Sequence, residues 1–577
     1  MNTAPDISAK RILVMAPETL VGPHFEACIV VADILASAGH QVSFLGCYDQ
    51  NQRCVFQDSE PTHPRFSTRV EHISCAVCIS QFASIVASRG FKAISPDEFH
   101  LDDVESIHRG LASRVRTEGL GARTPEINFG LLAAASLLLI NKTSLGSPLT
   151  APDWDYYERM AFTLLQRQEF VARAIHATDA DVVMVFGQYA QNMAALCAAC
   201  NANIIPVILD QPLNGSVDRN RILARSTTAI TKCYQLHDSW RNSKSSLKHP
   251  ELDNLLQGLS TTFSGKSPWA YSPPITGSNL NTAAAARARR TIVAFTSSLD
   301  EIESSSLLSM GFNEDGHTKL ASVYADQIAW LVDLNELCET HDDIEIIVRV
   351  HPRTGKEERS GIGSRHLEGL RERAMTLHKL KFVWPQDAVS SYDLMLNADV
   401  VTVSWSSIGI EAAVLGIPVV SAWYSNSTFP ADSFILTPRS AEAYKAALVS
   451  HESVNIMQPV EQIYRALDYL AFTRFRTSFN LGGESDANTV HLAARASSRM
   501  NPFGQKKYSQ SVVERFVGYL FATEGVGRNF DETSVATGES VTALSCARAI
   551  LALLSGHGVP EHSLVLRRLQ TAAAQYA

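Results

Sequence analysis

Short, mostly apolar runs, each followed by small or polar residues and then by helical periodicity, recur along this chain and leave few folds open to it. Arg11-Ile12-Leu13-Val14-Met15, Asp181-Val182-Val183-Met184-Val185-Phe186-Gly187, Thr291-Ile292-Val293-Ala294-Phe295 and Ala398-Asp399-Val400-Val401-Thr402-Val403 are of this kind, as is the run at 344–350. Runs without polar alternation suit strands covered on both faces, and helices between them close parallel pairs. The pattern predicts an α/β protein built on parallel sheets. At 577 residues the chain exceeds one ordinary core, so two domains are expected, spanning 1–285 and 286–455, followed by a helical extension over 456–577.

Each half opens in the doubly wound manner. A strand at 11–16 leads through a loop holding Glu18 and His24 into a helix over 25–38, then Gly39-His40 and a strand at 41–45. A long helix is expected over 156–177, and the strand at 181–187 precedes a helix over 190–200 and a strand at 204–209. Composition shifts to Ser, Pro, Gly, Asn and Ala between 244 and 290, which predicts the connection between domains. Helical periods at 460–476, 510–523, 541–555 and 562–577 make up the extension.

The ends of the strands narrow the chemistry. The run at 344–350 closes as Val348-Arg349-Val350-His351-Pro352-Arg353, bringing the cationic Arg349 to the C-terminal end of a strand with His351 and Arg353. Ligands of open α/β sheets bind at such ends. The run at 398–403 breaks at Ser404-Trp405-Ser406-Ser407 before a helix over 408–415, whose free N–H groups and neighbouring hydroxyls suit a phosphate. Glu411 falls near the first turn of that helix, where it can accept hydrogen bonds from ribose hydroxyls. The run at 291–295 ends in Thr296-Ser297-Ser298 and then Asp300-Glu301, a third strand end with paired serines. A strand, a serine turn and a helix with a Gly416-Ile417-Pro418 exit also simply build a doubly wound domain. Three such ends in one domain point to a nucleotide-sugar site.

The His351-Pro352, Ser406-Ser407 and Gly409-Ile410-Glu411-Ala412 elements resemble the C-terminal domain of GT-B fold glycosyltransferases, particularly bacterial capsule and surface-polysaccharide biosynthesis proteins that include Kdo transferases. GT-B sialyltransferases share the His-Pro and Ser-Ser ideas. The resemblance covers 290–424 well and the N-terminal half in outline. It implies two Rossmann-like domains facing a cleft, and transfer of a sugar from a nucleotide-sugar donor to a surface polysaccharide or glycolipid, with no cofactor required. It also implies that His351 contacts the donor phosphate, that Ser406 and Ser407 hold phosphate oxygens, and that Glu411 engages the ribose. Backbone groups near Trp384 and Pro385 are expected to read the base. Ser297, Ser298, Arg349 and Ser404 complete the expected donor set, and Glu18 and His24 are candidates for the base, by position. The acidic Asp-Asp-Gly or Glu-Asp-Gly element of the sialyltransferases is not evident upstream of the His-Pro strand; Asp300-Glu301 is the nearest acidic pair. A nucleotide-sugar epimerase or glycerophosphotransferase on the same scaffold, or a non-catalytic subunit of polysaccharide assembly, are the alternatives.

The bulk properties agree with that class. A net charge of −9 with dispersed basic residues argues against a nucleic-acid partner. The apolar stretch at 131–140 is half the roughly 20 residues of a membrane span and reads as a buried helix. The N-terminus lacks the basic-then-apolar pattern of a signal peptide, so a cytoplasmic protein is expected, with peripheral association at the inner membrane face as a further expectation. Of the ten cysteines, Cys47, Cys54, Cys75 and Cys78 cluster in sequence, and the spacing of the last pair suits a tetrahedral metal. A structural zinc and four buried thiols are the two readings.

Overall fold

The computed structural model describes residues 9–17, 22–47, 71–94, 98–99, 101–211, 221–244, 246–267, 272–276, 289–312, 322–355, 363–424, 428–450, 457–480, 510–521, 539–561 and 563–576. Twelve strands are present among them: β1 Arg11–Met15, β2 Gln41–Leu45, β3 Lys92–Ile94, β4 Val182–Phe186, β5 Ile205–Asp210, β6 Arg221–Arg225, β7 Arg290–Phe295, β8 Ile344–Arg349, β9 Leu380–Val383, β10 Val400–Val403, β11 Val419–Ser421 and β12 Phe479–Asn480. They form two sheets. The first has the order β12-β6-β5-β4-β1-β2-β3, parallel from β1 to β5, with β6 and β12 each antiparallel to its neighbour. The second, β11-β10-β7-β8-β9, is parallel throughout.

Both sheets start at their centre and reverse direction between their first and fourth strands. In doubly wound sheets such a reversal marks the ligand crevice, which falls here at the C-terminal ends of β1 and β4 in one domain and of β7 and β10 in the other. Helices cover both faces of the second sheet. Val293, Phe295, Val401 and Val403 pack on one side, and Ile292, Ala294, Ile346 and Val348 on the other with Trp330 and Leu334. The two-Rossmann architecture is the expected one.

Two expectations about boundaries change. The stretch expected to connect the domains contains a helix, His249–Phe263, because Leu252, Leu255, Leu259 and Phe263 recur at helical spacing and enter the core of the second domain. Its start is marked by Pro250 in the first turn and by Glu251, which accepts a hydrogen bond from the Lys248 amide at 2.9 Å. The C-terminal helices are present at Pro459–Ala471, Gln510–Phe521, Ala543–Gly556 and Leu564–Tyr576, but they do not form a unit of their own. Three of them join the core of the second domain, while Gln510–Phe521 packs on the first domain. The chain crosses back through a π-helical turn at Phe472–Arg476 and adds β12 to the edge of the first sheet.

Candidate functional site at the second sheet's crevice

The helix Leu299–Phe312 leaves the C-terminal end of β7 and packs against Phe129–Asn141 and against Ala190–Asn201, which leaves the end of β4. The C-terminal edge of the second sheet therefore meets the first domain. Polar ties fix this contact. Lys142 Nζ donates to the Arg353 carbonyl at 3.3 Å, and Arg365 reaches Asp153 at 2.7 Å. Asp153 is fully buried. Burial alone would raise its pKa, but hydrogen bonds from Arg365, Thr150 and Asn141 hold it well below the usual carboxylate range.

The ends of β7, β8 and β10 are stitched together by short side chains. Thr296 Oγ1 accepts from the His351 amide at 2.9 Å. Ser297 Oγ lies 2.7 Å from Ser404 Oγ and also bonds the Trp405 carbonyl, while the Ser297 amide and the Ser404 hydroxyl both donate to Gln327 Oε1. Ser297 and Ser404 are each 1% exposed. These two serines, expected to bind the donor, are knotted into the strand ends, because hydroxyls at adjacent buried ends satisfy one another first. Ser298 is also occupied: it bonds Asp300 and receives Arg353 Nη1 at 3.1 Å. Ser406 and Ser407 lie nearer the surface, half-buried and exposed respectively, at the start of Ile408–Val414. Ser406 Oγ accepts from the Ile408 amide at 3.4 Å.

Arg349 has a different role from the expected phosphate contact. It is 1% exposed, donating Nη1 to the Trp384 carbonyl at 2.6 Å and Nε to Ser391 at 3.4 Å. Odd-numbered positions of β8 face the layer that holds Tyr392, so strand alternation turns Arg349 into the protein. The Trp384 backbone, expected to read a base, is engaged as well, since its amide donates to Asp387 at 2.7 Å and its carbonyl receives Arg349. Pro385 packs beside Gly355, where an added Cβ would lie 2.8 Å from it.

His351 caps the turn Pro352–Thr354, its Nδ1 accepting from the Arg353 amide at 3.2 Å. That bond leaves the proton of the neutral ring on Nε2. Burial first, then Arg353 and Arg349, lower its pKa to about 4. The ring is thus neutral near pH 7 and can offer a hydrogen bond but not a charge. Arg353 is paired with Asp300 at 2.8 Å and Glu301 at 3.1 Å, which shows what the acidic pair after β7 does.

Glu411 Oε2 accepts from the Tyr392 hydroxyl at 2.8 Å. Burial raises the Glu411 pKa, opposed by the Tyr392 hydrogen bond and by the charge of Arg474, which comes from the crossing turn. The same environment lowers Arg474 to about 10. Sequence reasoning did not find Gln327 or Arg474. Neither lies in a motif, and only the three-dimensional return of the chain brings Arg474 here.

In the first domain, His24 stacks on Phe186, with ring centroids 4.5 Å apart, beside the β1–β4 crevice. Glu18 and Cys54 lie outside the described residues, as does the side chain of Cys75; Cys47 and Cys78 are both half-buried thiols. Among the described residues no group of acids, histidines or cysteines is arranged to hold a metal, and no helix is long and apolar enough to cross a membrane.

No family model and no curated protein matches the chain. Solved structures with partial likeness include the beta Kdo 2,4 transferase of KpsC from Thermosulfurimonas dismutans, at 13% identity over 50% of this chain and 79% of that one, TM-score 0.27. A UDP-GlcNAc 2-epimerase from Methanocaldococcus jannaschii, in complex with UDP-GlcNAc and UDP, is similar at 12% identity over 80% of this chain and 97% of that one, TM-score 0.27. MurG from Acinetobacter baumannii is similar at 13% identity over 80% and 98%, TM-score 0.24. Likeness this loose carries no argument about chemistry, and the assignment of two Rossmann-like domains rests on this chain's own strand order.

Proposed function

We propose that this protein is a glycosyltransferase that binds a nucleotide-sugar donor in the β7–β10 crevice and transfers the sugar to a glycan or glycolipid held against the first domain. One observation carries the reading: the C-terminal edge of the second sheet, where His351 follows β8 and Ser406 and Ser407 follow β10, meets the first domain. Sugar transfer builds negative charge on the departing phosphate, and oriented N–H and O–H donors in a water-poor site stabilise it. With Arg349 turned inward and Arg353 held by two acids, that work falls to hydrogen-bond donors: the Ser406 and Ser407 groups and His351 Nε2. Glu411, held by Tyr392, would accept from ribose hydroxyls. A base is needed at the acceptor hydroxyl, and His24 at the first sheet's crevice is the candidate by position.

Incubating the purified protein with a panel of CMP-, UDP- and GDP-sugars, with and without a glycan acceptor, tests this by nucleotide release and by NMR of the sugar. Acceptor-dependent release of one nucleotide is expected. A product that is a C2-epimer of the donor sugar would make the protein an epimerase, and a failure to bind or turn over any of the donors would end the enzyme reading.

A further inference from the structure

On the opposite edge of the second sheet, the starts of β7, β10 and β11 meet the helix Leu564–Tyr576 around a cavity of about 580 Å³. Arg290, Arg567 and Arg568 line it, and Asp399 is the one acid among its described lining residues. Arg290, the first residue of β7, is 9% exposed. Its Nη1 and Nη2 donate to the Val449 and Ser450 carbonyls at 2.6 and 3.2 Å, while its buried Nε has no acceptor. Arg568 leans on Asp399, with Nη2 3.4 Å from the carbonyl oxygen and 3.8 Å from Oδ1, and its buried Nη1 is also without an acceptor. Burial lowers the pKa of both guanidinium groups, opposed by Asp399 and, for Arg290, by Asp343 as well.

Buried N–H donors are almost always satisfied, and cations gathered out of water need counter-charge. Here two guanidinium groups in the lining of one cavity each keep a buried donor unmet, and both lean on the same aspartate, Asp399. We propose that this cavity binds the phosphoryl group of a small soluble phosphate ester, anchored by Arg290 and Arg568. Guanidinium forks match phosphate oxygens in geometry and charge, and the cavity is of the size that small ligands fill. Thr571 and Gln575, one turn apart on the last helix, stand at the wall to meet the rest of the ester. Because that helix supplies much of the lining, a bound ester joins it to the second sheet and stabilises the folded chain by mass action. The site lies across the sheet from the β7–β10 crevice and does not depend on the transferase reading.

Inorganic pyrophosphate, titrated calorimetrically into the full-length wild-type and Arg568→Gln proteins, and tungstate soaked into wild-type crystals test the site. Tungstate density is expected between Arg290 and Arg568, and the substitution is expected to weaken pyrophosphate binding at this site by at least about tenfold. A wild-type map with no tungstate there, or unchanged pyrophosphate binding in the variant, overturns the proposal. Binding to phosphatidic acid vesicles without binding to free pyrophosphate also overturns it, by making the ligand a lipid surface. If Arg568→Gln does not fold, the wild-type tungstate map decides alone.

Discussion

Arg476 Nη2 lies 2.8 Å from Glu251 Oε2, joining the turn that carries the chain back to the first domain to the helix that precedes the second. Both side chains are almost wholly buried, and Arg476 also meets Asp468 at 3.0 Å.

Replacing Arg476 by Met strands two buried carboxylates, so a loss of about 3–5 kcal/mol of stability is expected. Burial already raises the pKa of Asp468, and Arg476 is the main influence holding it down. Without that cation the folded-state pKa rises further above the unfolded value, and the deficit should shrink as the pH falls from 7.5 towards 5. Urea melts at the two pH values check this; an equal deficit at both would mean that packing, not charge, is what the substitution removes.

Arg365→Ala removes the cation from Asp153 at the domain contact. Because Arg365 keeps 32% of its side-chain surface in water, the expected cost sits at the low end of about 3–5 kcal/mol. The added Asp153→Asn change should return most of it, since the buried charge is then gone. A double variant no more stable than the single one would contradict the assignment.

Tyr392→Phe deletes the hydroxyl that donates to Glu411. The Glu411 pKa, already raised by burial, loses an opposing influence and rises further. Donor binding that relies on the ionised carboxylate should then need a higher pH, so the acid limb of the donor KM profile should move upward while kcat changes little. An unmoved limb would place the ribose elsewhere.

His351 separates capping from donor contact. His351→Asn keeps an acceptor for the Arg353 amide and should cost less stability than His351→Ala, which gives up a cap worth about 0.5–2 kcal/mol. Both lose the Nε2 donor and should weaken donor binding alike, by a neutral hydrogen bond's roughly 0.5–1.5 kcal/mol rather than by an ion pair's larger share. The folded-state pKa of about 4 lies below the unfolded value of about 6.5, so the unfolded chain binds the proton more readily between these values. His351 therefore stabilises fully above pH 6.5 and progressively less down to pH 4. The wild-type should lose stability over that window faster than the Asn variant, as chemical melts at stepped pH would record.

Much of the architecture was legible because apolar runs and glycine exits are local signals. β2 and β7 begin and end within a residue of expectation, and the helix Ile408–Val414 is one residue shorter than expected. β6 was not expected, because Arg221 and Arg225 flank only Ile222, Leu223 and Ala224 and break the apolar run. The helix His249–Phe263 was hidden by the serine-rich stretches around it. In the site, the strand-end residues could be named but not their partners. Nothing near Ser297 in sequence shows that Ser404, 107 positions away, will take its hydroxyl. Arg349 illustrates the opposite error: a cation at a strand end suggests a ligand, yet the parity of its position sends it to Trp384 instead.

The pairing of β12 with β6 has a consequence for synthesis. The first sheet gets its last strand from Phe479 and Asn480, after the whole of the second sheet has been made. During translation β6 waits as an open edge, with its unpaired amides and carbonyls available to any passing strand. A nascent chain stalled between the two domains would be the form most exposed to aggregation, and since Gln510–Phe521 also packs on the first domain, that domain is complete only once the chain has passed residue 521.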